Sequence, residues 1–234
     1  MSDAVLELSD VSKDYRGLRP LRIERLAVGA GEAIAILGLD HVTAEVFVNL
    51  ATGATLPDRG AVKVFGCSTA SIADSAEWLT IVDRFGIVSE RAVLLDALSV
   101  IQNLVMPFTL DIEPPADDIR ARAEALAREV ELPESTWARP LAELDRPARV
   151  RVRLARALAL GPAIVLLEHI AADLARPDAI LVGRLVREVA RGRRAAVVAA
   201  TADEAFARAA ADRVLMLEPA TGRLAERRRW FRRA

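Results

Sequence analysis

Three short runs of apolar residues constrain the fold of this chain more strongly than any other feature of its sequence. One run is Ala33–Leu37, and the others cover residues 163–167 and 195–200. A short continuous apolar run is typical of a strand that is buried on both faces, as in a parallel sheet. Stretches of helical character lie between the runs, so the sequence predicts an α/β fold with a doubly wound, mainly parallel sheet.

The segments around these runs add further parts to the fold. Residues 5–8 and 21–28 alternate between apolar and polar side chains, which is typical of half-buried strands. Residues 91–157 are predicted to be mainly helical, and this block is too long for one crossover connection between strands. We therefore expect an inserted helical subdomain that divides an α/β core of residues 1–90 and 158–224.

The segment after the first buried strand has the position of a phosphate-binding loop. It precedes a helix predicted over residues 44–50, so it lies in the strand–loop–helix context that the motif G-x-x-x-x-G-K-[ST] requires. Gly38 supplies the first glycine of that motif. Thr43, Ala44 and Glu45 stand where the motif has its second glycine, its lysine and its hydroxyl residue.

These replacements remove the groups that hold a phosphate. Ala44 takes away the cation, and Glu45 adds an anion whose repulsion reaches about 4 kcal/mol at contact distance and an effective dielectric constant of about 20. His41 and Thr43 restrict the loop where glycines would let backbone N–H groups turn inward. The N-terminus of the following helix still offers N–H groups and a dipole, which supports weak phosphate affinity at most.

The composition excludes several classes of protein. The net charge of −1 gives no overall attraction to nucleic acid or membranes, and the single Cys67 excludes an intrachain disulfide and a cysteine metal site. No apolar run is long enough to span a bilayer, and residues 1–5 lack the basic and apolar regions of a signal peptide. A cytoplasmic location is therefore expected. The chain favours Arg over Lys, but that bias does not explain the uncharged Ala44.

Several segments, in the order and spacing that they have here, resemble those of a known family. They are Val11-Ser12-Lys13-Asp14-Tyr15, Gly29-Ala30-Gly31-Glu32, Thr52-Gly53, Leu98-Ser99-Val100, Leu154-Ala155-Arg156-Ala157 and Asp212-Arg213-Val214-Leu215. Over nearly its full length the chain resembles the ATP-binding cassette subunits of ABC transporters. It is most similar to the subtype that partners lipoprotein-exporting or cell-division membrane subunits. The resemblance implies a single P-loop NTPase-like cassette with an N-terminal antiparallel β subdomain, an inserted helical subdomain and a basic tail at residues 225–234.

The positions that carry the family's chemistry differ from its pattern. The family's Gln between the two lobes corresponds to Glu90, and its signature corresponds to Leu144-Asp145-Arg146-Pro147-Ala148. Its magnesium-binding Asp and catalytic Glu correspond to Glu168 and His169, and its switch His corresponds to Ala202. Phosphoryl transfer depends on positioning, charge neutralisation and an oriented water, so these losses predict a protein released from ATP hydrolysis.

Three functions remain open at this point. The first is a catalytically inactive scaffold or regulatory subunit of a membrane transporter-like complex. The second is a transporter ATPase with altered motifs that uses Glu168 and His169, and the third is a nucleotide- or ligand-sensing module without turnover. We predict no catalytic residue, no metal site and no cofactor beyond weak ATP binding. The residual nucleotide pocket would consist of Tyr15, Gly38, Asp40, His41, Thr43, Ala44 and Glu45.

The resemblance also suggests partners. A transporter-like membrane subunit would contact Glu90, Arg91 and the helical subdomain, and the chain would form a homodimer or pair with another cassette. We expect no nucleic-acid partner. The C-terminal tail combines basic and aromatic residues that suit an anionic membrane surface, although a solvated tail has the same composition. These residues are Arg227, Arg228, Arg229, Trp230 and Phe231. The expected location is cytoplasmic, with a peripheral position at the inner face of the membrane as one possibility.

Overall fold

The computed structural model describes residues 4–72 and 74–226. Their strands are β1 (Ala4–Lys13), β2 (Leu21–Gly29), β3 (Ala33–Leu37), β4 (Arg59–Val64), β5 (Cys67–Ser68), β6 (Phe85–Val88), β7 (Ile164–Glu168), β8 (Ala196–Ala200), β9 (Arg213–Glu218) and β10 (Arg223–Glu226). Their α-helices are α1 (His41–Ala51), α2 (Ser75–Val82), α3 (Val100–Val105), α4 (Asp117–Glu129), α5 (Arg146–Leu158), α6 (Arg176–Arg193) and α7 (Glu204–Ala210). Short 3₁₀ turns cover Thr69–Ser71, Glu134–Thr136 and Leu141–Glu143.

Two sheets form the α/β body. The larger has the strand order β10-β9-β3-β8-β7-β6. Its four pairings from β9 to β6 are parallel, and β10 at the edge runs antiparallel to β9. The smaller has the order β2-β1-β4-β5 and is antiparallel. The predicted fold class, a mainly parallel doubly wound sheet with an N-terminal antiparallel β subdomain, is confirmed.

The central strand β3 shows why the sheet needs covering on both faces. Successive side chains of a strand point to opposite faces. Ile34 and Ile36 pack with α1 and the antiparallel sheet, whereas Ala35 and Leu37 pack in a second cluster with α5, α6 and α7. All residues of β3 are buried, as are those of β7 and β8. The three apolar runs therefore predicted the centre of the fold correctly.

The block between β6 and β7 contains α3, α4 and α5, which pack on one another. Asn103 of α3 is fully buried, and its amide bonds to the backbone N–H and carbonyl of Leu95. These bonds fix the connection that leads from β6 into the helices. In the described part of the chain, no helix is both long and apolar enough to cross a membrane.

The structure differs from the predicted elements at several boundaries. Helix α1 begins at His41 rather than at residue 44, because Asp40 caps it. Helix α6 begins at Arg176 rather than at residue 181, with Pro177 in its first turn, where proline is well tolerated. Helix α2 and strand β10 were not predicted, and β10 continues past residue 224 to Glu226. The tail residues proposed for membrane contact, Arg227 to Phe231, lie outside the described residues.

Candidate functional site

The corner between β3 and α1 is the place where a phosphate-binding loop would lie. Only Gly38, Leu39 and Asp40 connect the strand to the helix. Gly38 has φ +94, and a Cβ at this position would lie 2.9 Å from the carbonyl oxygen of Leu217, so the corner requires glycine. The later positions of the motif, residues 41–45, already lie in the first turns of α1.

Asp40 fills the N-terminus of α1 with a carboxylate from the chain itself. Its Oδ1 accepts hydrogen bonds from the backbone N–H of Thr43 at 2.8 Å and from the Thr43 hydroxyl at 2.6 Å. The hydroxyl of Thr43, and next its backbone N–H, lower the pKa of Asp40 below the ordinary 3.8. The helix end that would favour a bound anion therefore already carries one.

The two positions that follow also differ from a phosphate site. Ala44, where the motif lysine would be, is 0% exposed and packs with Phe47 and Val48 in the core. Glu45 is half-buried and forms an ion pair with Arg91, whose Nη1 lies 2.8 Å from Glu45 Oε1. No cationic side chain replaces the missing lysine at its own position.

Arg91 joins two carboxylates at the ends of neighbouring elements. Besides Glu45, it binds Glu168 at the end of β7, with Nη2 2.6 Å from Glu168 Oε2. The Arg91 backbone N–H donates to the hydroxyl of Ser89 at 3.1 Å, which helps to orient the loop after β6. The Glu168 side chain is only 9% exposed. The guanidinium thus lies between the two carboxylates that correspond to the family's magnesium-binding positions.

The role of Arg91 was not predicted from the sequence, which assigned this residue to a membrane partner. A signal was available, because Glu45 and Glu168 both lie at motif positions expected at the same edge of a doubly wound sheet and would repel each other without a cation between them. The structure places the Arg91 guanidinium inside the molecule's own ion-pair network. Glu90, the other residue proposed for that partner, is exposed on the same loop.

His41 and His169 lie against each other beside the Asp40 corner. Their ring centroids are 4.3 Å apart, and the rings are tilted by 34°. His169 is buried, has φ +49 and donates its backbone N–H to the carbonyl of Ala200. Burial, and next the charge of His41, lower the pKa of His169 below 6.5, against the opposing effects of the Asp40 carbonyl, Glu168 and the Leu39 carbonyl.

The buried ring of His169 is not placed to reach a substrate in solvent. Within residues 4–72 and 74–226, its buried Nε2 has no hydrogen-bond partner. The residue after it in the chain, Ile170, is also buried. The geometry is that of a histidine packed at a strand end.

The segment that corresponds to the signature motif forms a second capped helix. Asp145 is the N-cap of α5, and its Oδ1 accepts from the backbone N–H of Ala148 at 2.8 Å. Pro147 lies in the first turn of α5, and Arg146 donates to the carbonyl of Asp173 at 3.2 Å. The N-terminus of this helix, like that of α1, is satisfied by a carboxylate of the same chain.

The remaining predicted positions lie apart from these contacts. Ala202 is exposed in the loop before α7, and it brings no imidazole to the corner. Tyr15 is partly buried against the core, and a Cβ on Gly17 would lie 2.3 Å from its ring, so the ring rests on its own loop. In the described residues, no group of three or more His, Cys, Asp or Glu side chains is placed to hold a metal ion.

The residues of the corner do not fit a magnesium–nucleotide. Such a group needs a cation near the phosphates and oxygen ligands free for the metal. Here Ala44 is buried, and the Asp40 carboxylate lies at the N-terminus of α1. The carboxylates of Glu45 and Glu168 both form ion pairs with Arg91.

The chain is similar to known ATP-binding proteins over its whole length. No protein-family model matches it. It is 31% identical over 231 residues to the lipoprotein-releasing system ATP-binding protein LolD of Pseudomonas syringae pv. tomato, which covers 97% of this chain and 100% of that protein. It is 33% identical over 190 residues to LolD of Anaeromyxobacter dehalogenans, covering 80% of this chain and 79% of that protein.

Solved structures share the fold. CbiO1 of Clostridium perfringens, part of the ABC transporter complex CbiONQ, has a TM-score of 0.80 at 21% identity, covering 95% of this chain and 87% of that chain. The dimeric ATP-binding cassette MJ0796 bound to ADP and phosphate has a TM-score of 0.76 at 23% identity, covering 96% and 100%. The two-sheet architecture with its helical block is that of an ATP-binding cassette. The chain belongs to the family of ABC transporter ATP-binding proteins.

Proposed function

We propose that this chain is a cassette released from ATP hydrolysis, which acts as a scaffold or regulatory subunit of a membrane transporter complex. The observation that carries the proposal is the Asp40 carboxylate at the N-terminus of α1, bonded to the N–H and the hydroxyl of Thr43. A second anion at this position would meet like charge, and the N–H of Thr43 already has an acceptor. Nucleotide phosphates therefore lack their main binding group.

The network around Arg91 supports the same proposal. The guanidinium forms ion pairs with both Glu45 and Glu168, so each carboxylate already has a cationic partner from the chain itself. The Asp145 cap on α5 would have the same effect in a pair of cassettes. In the family's head-to-tail arrangement, the N-terminus of this helix would face the partner's nucleotide. Both halves of a composite site would then be impaired, whether the chain forms a homodimer or pairs with another cassette.

A direct titration tests the proposal. Fluorescent ATP is added to the purified chain with and without Mg²⁺, and phosphate release is followed in parallel. We expect no saturable, Mg²⁺-dependent binding at up to millimolar nucleotide and no release of phosphate above the buffer rate. Tight Mg²⁺-dependent binding would overturn the proposal.

The second candidate is an ATPase with altered motifs, and the names of the relatives favour it, because LolD is described as an ATP-binding protein. In that case phosphate release would be measurable and would fall in His169→Asn and Glu168→Gln. Binding without release would favour the third candidate, a nucleotide sensor.

The membrane partner would contact Glu90 and the helical block of residues 91–157, at the inner face of the membrane. Its test is co-expression with a permease encoded beside the gene, followed by separation of membrane and soluble fractions. Glu90→Arg should release the chain from the membrane fraction. Glu24→Arg makes the same charge change at another exposed position, on β2, and should leave the distribution unchanged. Equal retention of both variants contradicts the assignment of Glu90.

A further inference from the structure

A groove with arginine-rich walls lies between α6 and α7, on elements that do not contribute to the Asp40 corner. The two helices pack closely because α6 has Gly183 at their contact, where a Cβ would lie 2.8 Å from the Cβ of Ala209. The groove has a volume of about 560 Å³, within the range of ligand-binding clefts. Its lining consists of Arg176, Ile180, Arg184, Arg187, Glu188, Arg191, Ala205, Arg208 and Ala209.

The charges of this groove are unbalanced. Arg187 and Arg191 share the single carboxylate of Asp212, and Arg208 pairs with Glu204. Arg176 and Arg184 are exposed and form no ion pair within residues 4–72 and 74–226. Among the described lining residues, Glu188 is the one carboxylate beside five arginines, so the groove is positively charged although the chain as a whole has a net charge of −1.

The walls and floor favour one class of ligand. Guanidinium groups bind carboxylates and phosphates through paired N–H donors. The nonpolar lining residues are Ile180, Ala205 and Ala209, which suit small apolar side chains. None of the described lining residues is aromatic, so the groove has no platform on which nucleic-acid bases could stack.

We infer that this groove binds an acidic segment of a protein partner. Asp212 shows the mode of recognition, since Arg191 Nη2 already donates to a carboxylate oxygen there at 2.9 Å. Arg176 and Arg184 are eight positions apart on α6, which corresponds to about 12 Å along a helix that rises 1.5 Å per residue. An extended peptide advances about 3.3 Å per residue, so carboxylates about four positions apart would reach both guanidinium groups.

The test uses the full chain and a fluorescein-labelled peptide in which two Glu residues, about four positions apart, are separated by Ala. Its anisotropy is followed in the double variant Arg176→Gln/Arg184→Gln and in the control Arg25→Gln/Arg223→Gln. The control removes the same charge from β2 and β10. We expect at least a tenfold loss of affinity in the first variant and less than a twofold change in the control.

Charge reversal guards against a folding artefact. Arg176→Glu/Arg184→Glu should bind a peptide in which Lys replaces Glu and should no longer bind the acidic peptide, a charge-specific exchange that general misfolding does not produce. The inference is overturned if the acidic peptide does not bind, if both double variants weaken it equally, or if a uridine oligonucleotide binds more tightly at the same salt concentration and loses that binding in the first variant. None of these outcomes depends on the proposed function, because the groove shares no lining residue with the corner between β3 and α1.

Discussion

Arg91 forms ion pairs with two carboxylates, Glu45 and Glu168. A substitution that removes its guanidinium therefore leaves both carboxylates without this partner. Removing the guanidinium exposes Glu45 and the largely buried Glu168 to mutual repulsion. An unpaired buried polar group costs about 1–3 kcal/mol. We therefore expect Arg91→Gln to lower the free energy of unfolding by an amount in that range, as measured by urea denaturation.

Two variants separate this effect from a general loss of charge. Arg25→Gln, at an exposed position on β2, should change the free energy of unfolding by less than about 0.5 kcal/mol. Adding Glu168→Gln to Arg91→Gln should recover part of the loss, because the neutral amide leaves no buried charge. If Arg91→Gln is as stable as the wild type, the ion-pair network contributes nothing.

Asp40 is predicted to stabilise α1 as its N-cap. Asp40→Ala should lower the free energy of unfolding by about 1 kcal/mol at neutral pH, whereas Asp40→Asn keeps a capping oxygen and should lose much less. The folded pKa of Asp40 lies below 3.8, so the stabilisation is present above that pH and is lost as the pH falls through the folded value. Urea titrations at neutral pH and below pH 3.8 check both points. Equal losses in the two variants would show that charge, and not capping, is responsible.

His169 should make the chain sensitive to mild acid. Its pKa is lowered in the folded state, so the unfolded chain binds a proton more readily, and stability falls as the pH drops below 6.5. The groups that face its ring are His41, Glu168 and the carbonyls of Leu39 and Asp40. His169→Asn removes the titration and suits the left-handed backbone at φ +49. The slope of unfolding free energy between pH 7.5 and 5.5, about one unit either side of the ordinary value, should decrease in this variant; an unchanged slope contradicts the prediction.

The elements differ in how far the sequence could predict them. Strands β3, β7 and β8 were predicted because a continuous apolar run has few alternatives inside a sheet. Helix α1 begins three residues before its predicted start, because Asp40 caps the helix at a place where the phosphate-loop pattern predicts a loop. The position of Arg91 depends on contacts between distant segments, which local patterns do not report.

The geometry of α1 implies that restoring one lysine would not restore a nucleotide site. Ala44 is 0% exposed in the core, so Ala44→Lys buries a charge and should lower the free energy of unfolding by more than about 2 kcal/mol. Val42→Lys adds the same charge to the same helix at a position that is 55% exposed, and it should be nearly neutral. Thermal unfolding and ATP titration of both variants check this. A stable Ala44→Lys variant that binds ATP would show that the corner is only one substitution away from function.

At the scale of the whole molecule, an ATP-binding cassette fold is present, and charged groups near its strand ends pair with one another. Two sheets, the helical block and full-length similarity to LolD place the chain among ABC transporter ATP-binding proteins. Asp40 and Asp145 cap α1 and α5, and Arg91 pairs with Glu45 and Glu168. Under the proposed function, these contacts take the place of ligand contacts. Folding stability in this chain is therefore predicted to be independent of nucleotide.

That independence is measurable, since a ligand that binds only the folded state stabilises it by about 2.7 kcal/mol at a concentration one hundred times its Kd. For a domain of this size, such a gain raises Tm by several degrees. We expect Mg²⁺–ATP at millimolar concentration to shift Tm by less than about one degree, no more than MgSO₄ of equal ionic strength. Sulfate is the matched control because it tests whether the helix N-termini bind any anion at all. A shift with ATP but not with sulfate would mean that the corner rearranges to admit a nucleotide, with Asp40 displaced from Thr43.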